Sequence, residues 1–83
     1  MNMATAIVMP LSSLSEGESG EIIYMRGKPE VHRFLNGKGL RMGSKISVGN
    51  TAAIETSLTV RIGNMVSVIG KDIAQQIKVR LAN

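Results

Sequence analysis

The stretch NGKGLRMGSK at residues 36–45 combines three glycines with three cations, as phosphate-binding loops often do. A Walker-type loop needs a glycine, four further residues and then Gly-Lys-Ser/Thr. Counting from Gly37, the second glycine position holds Met42, and counting from Gly39 it holds Ser44. The dinucleotide fingerprint G-x-G-x-x-G fails at the same place. The stretch also follows a predicted helix and precedes a predicted strand, the reverse of the order in both motifs, so we reject a nucleotide site.

Metal ligands are sparse in this sequence. His32 is the only histidine and there is no cysteine, whereas a structural metal site usually takes four N, S or O ligands. A weak carboxylate site in the turn before the first strand is the alternative, at Glu16, Glu18 and Glu21. We interpret these side chains as surface groups and predict no metal site and no cofactor.

Catalytic groups are equally hard to find. A nucleophile needs a positioned base, and no such base accompanies the serines near the start of the chain, Ser12, Ser13, Ser15 and Ser19. No pair of carboxylates stands in an apolar setting that would separate their pKa values. We therefore predict no catalytic residue and a protein that is not an enzyme.

Length and composition limit what the chain can build. With 83 residues it suits one small domain with a thin core. Of the residues, 43% are apolar but only 2% are aromatic, namely Tyr24 and Phe34, so the core must be aliphatic. No stretch approaches the roughly 20 apolar residues of a membrane span. The lack of cysteine fits a reducing compartment, and we expect a cytoplasmic protein without direct membrane insertion.

The formal net charge is +4, which favours anionic partners. The ten lysines and arginines never form a run, however. Ordinary solvated cations are therefore the simpler interpretation.

Strand patterns are clear in the second half of the chain. Residues 57–62 alternate apolar and polar side chains, residues 65–70 follow, and Gly63-Asn64 between them favours a tight hairpin turn. Three further strands are predicted at 21–26, 45–50 and 77–82.

Two helices are predicted between these strands. The first spans KPEVHRFLNG: Pro29 suits its first position, Val31, Phe34 and Leu35 share its apolar face, and Asn36-Gly37 ends it. The second is a single turn before the last strand. There Asp72, with Gln75 three residues later, matches a capping box.

Five short strands with these two helices predict a mainly β fold, a small and strongly bent barrel. Closing the sheet removes the exposed edges that an open sheet would have. We assign the single domain to residues 10–83 and predict a flexible N-terminal extension at residues 1–9.

The order of the motifs resembles the FeoA family over about residues 10–82. The matching positions fall in four pieces: an opening Leu-x-x-Leu-x-x-Gly, a Gly-x-Ile at the first strand, a Leu/Gly segment after the helix, and a closing Ala followed by Ile-x-Val. They are Leu11, Leu14 and Gly17; Gly20 and Ile22; Leu35, Gly39, Leu40 and Gly43; and Ala74, Ile77 and Val79. The resemblance implies a small SH3-like barrel, the same domain as the C-terminal barrel of regulators like the diphtheria toxin repressor.

The loop after the helix departs from the family pattern. The position before Gly39 is usually apolar and here is Lys38, the residue before that is Gly37, and Met42 stands where proline often precedes Gly43. We therefore expect the helix to end earlier than is typical and the loop to be more polar.

The family implies a role without catalysis. Its members accompany FeoB, a ferrous-iron transporter with a cytosolic G-protein domain. We expect this chain to bind that part of a FeoB-like transporter and to be recruited by it to the inner face of the membrane. Because cations and a methionine crowd the helix end and the loop, we predict the partner-binding residues Arg33, Lys38, Arg41 and Met42.

Three alternatives stay open at this point. One is a stand-alone regulatory module related to metal-dependent repressors, and another is self-association. The third is a small nucleic-acid-binding barrel. Such barrels stack bases on exposed aromatics, and with Phe34 packed on the apolar helix face only Tyr24 is left, which makes nucleic acid the weaker hypothesis.

Overall fold

The computed structural model describes residues 7–49 and 56–82. The six strands are β1 (Val8–Pro10), β2 (Ser19–Met25), β3 (Lys45–Val48), β4 (Ser57–Ile62), β5 (Met65–Gly70) and β6 (Ile77–Leu81). Two helices, α1 (Pro29–Gly37) and α2 (Lys71–Ala74), and one 3₁₀ turn (Leu11–Ser13) complete the described part. The strands form one antiparallel sheet in the order β1-β6-β2-β3-β4-β5.

One aliphatic core lies on the inner face of this sheet. Along β3, β4 and β6 every second residue is buried in it, because side chains alternate between the two faces of a strand. The buried apolar residues are Leu11, Leu14, Ile22, Met25, Leu35, Leu40, Ile46, Val48, Leu58, Val60, Ile69, Ala74, Ile77 and Val79. The core thus unites both helices with β2 to β6, and no buried polar side chain interrupts it among the described residues.

The predicted hairpin is confirmed in the bounds of both strands. β4 and β5 pair from Ser57 opposite Gly70 to Ile62 opposite Met65. Gly63 takes a φ of +58° in the turn, a value that glycine reaches without steric cost. The three other predicted strands are present with slightly different bounds. β2 begins at Ser19 and not at residue 21, β3 ends at Val48, and β6 ends at Leu81. Asn50, the last residue predicted for β3, lies outside the described residues.

The sheet has one strand more than the five predicted. β1 pairs antiparallel with β6, with Val8 opposite Arg80 and Met9 opposite Val79. It takes in Val8 and Met9, which the sequence assigned to a flexible extension, while residues 1–6 of that extension lie outside the described part. Pro10 is tolerated because an edge strand needs fewer backbone donors.

The first helix differs from its prediction in two ways. α1 continues through Asn36 and Gly37, and Lys38 is its C-cap; the positive φ of the helix stop, +87°, belongs to Gly39. Phe34 does not lie on the buried face, since half of its surface (50%) is exposed, whereas Leu35 is fully buried. The helix thus ends at Gly37 as predicted, but the left-handed conformation belongs to Gly39 and not to Gly37. The predicted packing of Phe34 was wrong.

The capping box predicted at α2 is absent. Gly70 is the N-cap and no side chain caps this helix. Asp72 is the second helical residue, and its Oδ1 accepts a hydrogen bond from the amide of Ile73 at 2.9 Å. The prediction failed because the helix starts one residue before Asp72.

Candidate functional site

A complete Schellman motif ends α1 and fixes the start of the following loop. The amide of Leu40 donates to the carbonyl of Leu35 at 2.9 Å, and the amide of Gly39 donates to the carbonyl of Asn36 at 3.0 Å. These are the two backbone hydrogen bonds that define the motif. Leu35 and Leu40 are both fully buried, which supplies the apolar contact that usually accompanies it. The chain therefore leaves the helix in one set direction.

The next four residues form a tight turn that is attached to the sheet. The amide of Ser44 donates to the carbonyl of Arg41 at 2.9 Å, and Gly43 supplies the positive φ of +88° at the third turn position, as in type II turns. The hydroxyl of Ser44 donates to the carbonyl of Gly39 at 2.9 Å.

Two backbone hydrogen bonds join this turn to β2. The amide of Gly43 donates to the carbonyl of Ile22 at 2.8 Å, and the amide of Ile22 donates to the carbonyl of Ser44 at 2.8 Å. The turn is thus held at both ends, and Arg41 and Met42 are presented at its tip.

Three of the four predicted partner-binding residues gather around the end of α1. The ammonium group of Lys38 lies 5.1 Å from the centroid of the Phe34 ring, within cation–π range. Nη2 of Arg41 lies 3.4 Å from the carbonyl oxygen of Asn36, where a cation complements the negative end of the helix dipole. Met42 is the most exposed large apolar residue described, at 59%.

Arg33 does not join this group. It is exposed and stands five residues before Lys38 on the helix. With 3.6 residues per turn, the two side chains leave the helix about 140° apart. Arg33 therefore borders the site on another face of α1.

Sequence reasoning missed two apolar members of the site. Phe34 is half exposed, and Met65, just after the β4–β5 turn, is 49% exposed. A methyl group added at Gly39 would lie 3.6 Å from Sδ of Met65, so the hairpin tip lies beside the helix end. For Phe34, the only local indication in the sequence was its spacing of four residues from Lys38, which places the two side chains next to each other on a helix. We refer to Phe34, Lys38, Arg41, Met42 and Met65 as the helix-end surface.

The described residues hold little that suggests chemistry at this surface. No group of three or more His, Cys, Asp or Glu side chains lies together within residues 7–49 and 56–82. His32 is half-buried, and its Nε2 has no hydrogen-bond partner among the described residues. The two described helices are too short and polar to cross a bilayer.

Two of the three carboxylates that the sequence offered as a weak metal site, Glu18 and Glu21, have other partners. Oε1 of Glu18 accepts a hydrogen bond from the amide of Ser15 at 2.6 Å. Oε1 of Glu21 lies 3.5 Å from Nη2 of Arg80. These two contacts place Glu18 in a local turn and Glu21 on the sheet, so they do not form one site.

Comparison with known protein families gives one match that spans most of the chain. The FeoA domain profile matches residues 9–81, which includes Met9 of β1. No curated protein sequence matches the chain.

Solved structures show the same fold. An iron uptake regulatory protein (FeoA) has 26% identity and a TM-score of 0.84 over 92% of this chain and 100% of its own. Iron(II) transport protein A from Clostridium thermocellum has 28% identity and a TM-score of 0.83 over 89% of this chain and 46% of its own. A manganese-dependent transcriptional repressor, at 20% identity and a TM-score of 0.83, is covered over 44% of its length; this likeness is one of fold.

Proposed function

The chain belongs to the FeoA domain family, and we propose that it is a non-enzymatic accessory protein of ferrous iron transport. In this proposal it binds the cytosolic G-protein part of a FeoB-like transporter and modulates it. The mainly β, SH3-like fold is shared with proteins described as an iron uptake regulatory protein and an iron(II) transport protein. A binding role suits a domain whose described residues present an exposed mixed surface.

The observation that carries the proposal is the composition of the helix-end surface. Three large apolar side chains, Phe34, Met42 and Met65, are each about half exposed, and Lys38 and Arg41 stand among them. Aromatic residues, methionine and arginine are the types enriched in protein–protein interfaces. Scattered exposed apolar residues are ordinary, but apolar residues gathered beside cations are typical of an interaction site.

The geometry of the loop supports the same interpretation. The Schellman motif and the hydrogen bonds to Ile22 hold the turn in place before any partner arrives. A preformed surface loses less conformational entropy on binding than a loop that must first be ordered. Lys38 and Arg41 can steer an acidic partner face towards it, and Met42 can adapt its shape to that face.

Binding of the purified chain to an isolated G domain tests the proposal. We expect wild-type protein to bind, and Met42→Glu to weaken the affinity at least about tenfold, as the loss of a central interface side chain does. Met42 is suited to the test because it is exposed at a turn tip, so its replacement should leave folding intact.

Val68→Glu is the matched control, because Val68 is also 50% exposed but lies on the outer side of β5. We expect this variant to bind the G domain within about twofold of wild type. No binding of wild-type protein at high micromolar concentration, with a known FeoA–FeoB pair as positive control, would exclude the proposal. An equal loss in both variants would place the interface elsewhere.

A further inference from the structure

The register of the sheet gathers cations that are scattered in the sequence. Arg80 lies opposite Glu21, Glu21 lies opposite Lys45, and Ser47 lies opposite Arg61. Directly opposed residues share one face of an antiparallel pair, and residues two apart on a strand share a face as well. Lys45, Arg61 and Arg80 therefore all stand on the outer side of the sheet, away from the aliphatic core.

A concave region follows these side chains across β6, β2, β3 and β4. It has a volume of about 360 Å³ and is lined by Ser19, Glu21, Lys45, Ser47, Arg61 and Arg80, among others. We call it the outer-face groove. Its volume falls within the range of pockets that hold ligands, and its walls offer three cations and two hydroxyls.

The charges of the groove do not balance. Among the described residues that line it, Glu21 is the only acidic one against three cations, so their net charge is +2. The Glu21 carboxylate lies 3.5 Å from Arg80, with both side chains about half exposed. Lys45 and Arg61 make no ion pair with any described residue. The charge of the groove therefore favours an anionic ligand.

The spacing of the cations indicates an extended ligand. Arg80 on β6 and Arg61 on β4 are separated by two intervening strands, which is about 14 Å at the usual strand spacing. A single small anion reaches only part of that distance, whereas an extended chain with repeated negative charges follows all of it. Arginine binds carboxylates in a planar, two-point geometry.

The groove lacks the feature by which single-stranded nucleic acid is usually held. None of its lining residues is aromatic, and binding of single strands depends on bases stacking on aromatic rings. We propose that the outer-face groove binds an extended acidic segment of another protein. This surface is separate from the helix-end surface, and the inference does not depend on the proposed function.

The first test uses the full chain and a fluorescent octaglutamate peptide at low ionic strength. We expect saturable binding that weakens as salt is added, because the contacts are exposed charges. Arg61→Glu should weaken it at least about tenfold, since it replaces an attractive charge by a repulsive one. Arg33→Glu changes the net charge equally but lies on α1, outside the groove, and should change the affinity less than about twofold.

A second variant tests the groove by gain of binding. Glu21→Gln removes the carboxylate that competes for Arg80 and breaks only an exposed ion pair, which contributes little to folding. We expect this variant to bind octaglutamate about threefold more tightly. A merely structural role for Glu21 would not increase peptide affinity.

Several outcomes would overturn the inference. These are equal losses in Arg61→Glu and Arg33→Glu, unchanged or weaker binding in Glu21→Gln, and no binding by wild-type protein at low salt. Oligothymidylate that displaces the peptide and binds more tightly would assign the groove to nucleic acid instead. Met42→Glu should leave peptide binding unchanged while it weakens G-domain binding, so the two proposals fail separately.

Discussion

Gly39 sets the direction in which the chain leaves α1 and enters the loop that we propose binds the partner. Its φ of +87° lies in the left-handed region, which costs other residues about 1–2 kcal/mol. This conformation lets Leu40 turn back to bond the carbonyl of Leu35 and bury its side chain. The position of Arg41 on the helix-end surface follows from this one residue, whereas Lys38 is placed by the helix as its C-cap.

A pair of alanine substitutions tests that assignment. Gly39→Ala should lower the free energy of unfolding by about 1 kcal/mol, because alanine strains the left-handed backbone. Gly37→Ala should raise it by about 0.5 kcal/mol, because Gly37 is helical, alanine is the better helix former, and an added methyl there meets no atom within 4 Å. Urea unfolding of both variants is the measurement. If Gly37→Ala were the less stable variant and Gly39→Ala the more stable one, the left-handed residue would be Gly37 and the assignment would be wrong.

The sequence predicted the helix and its last residues, but not which glycine takes the left-handed conformation that follows it. Gly37 and Gly39 are both suitable for a left-handed stop, and intrinsic preference does not distinguish them. The structure shows that the residue after the glycine decides, because the Schellman motif favours an apolar side chain that packs back on the helix. Leu40 follows Gly39, whereas Lys38 follows Gly37. The Gly-Leu pair was therefore the available signal.

At the scale of elements, the β4–β5 hairpin gives the sheet its clearest division between inside and outside. Leu58 and Val60 are buried on β4, and Ile69 is buried on β5. Val66 and Val68 are exposed on the other side of β5, together with Arg61 of the outer-face groove. The same alternation thus builds the core on one side and a charged surface on the other.

Two neighbouring substitutions on β4 test the assignment of faces. Val60→Asp should unfold most of the protein, because Val60 is fully buried and an unpaired charge in an apolar core is very costly. Thr59→Asp, on the opposite face, should cost about 1 kcal/mol or less. Circular dichroism during thermal unfolding measures both. An unchanged melting temperature for Val60→Asp would show that the face assignment is wrong.

Local patterns predicted this hairpin, but not the edge strand β1. The β4–β5 turn joins neighbouring segments, so its residues alone suffice to predict it. β1 has only three residues, including Pro10, and it pairs with β6 about 70 residues later in the chain. A non-local pairing of so short a strand leaves almost no periodic signal. For the same reason the sequence assigned Val8 and Met9 to an extension.

At the scale of the whole molecule, the described residues carry two proposed binding surfaces. The helix-end surface mixes apolar side chains with Lys38 and Arg41, and the outer-face groove collects Lys45, Arg61 and Arg80. The sequence predicted part of the first, because its residues lie close together in the chain. The sequence did not predict the outer-face groove, because only the strand register brings residues 45, 61 and 80 onto one face.

The central claim is that this chain binds the G-protein part of a transporter through the helix-end surface. An NMR titration of isotope-labelled protein with the isolated G domain tests it most directly, with a separate titration by ferrous iron. We predict that the G domain shifts or broadens the amide signals of Phe34, Lys38, Arg41, Met42 and Met65, and that iron alone leaves them unchanged. Shifts of these signals with iron but not with the G domain would contradict the claim.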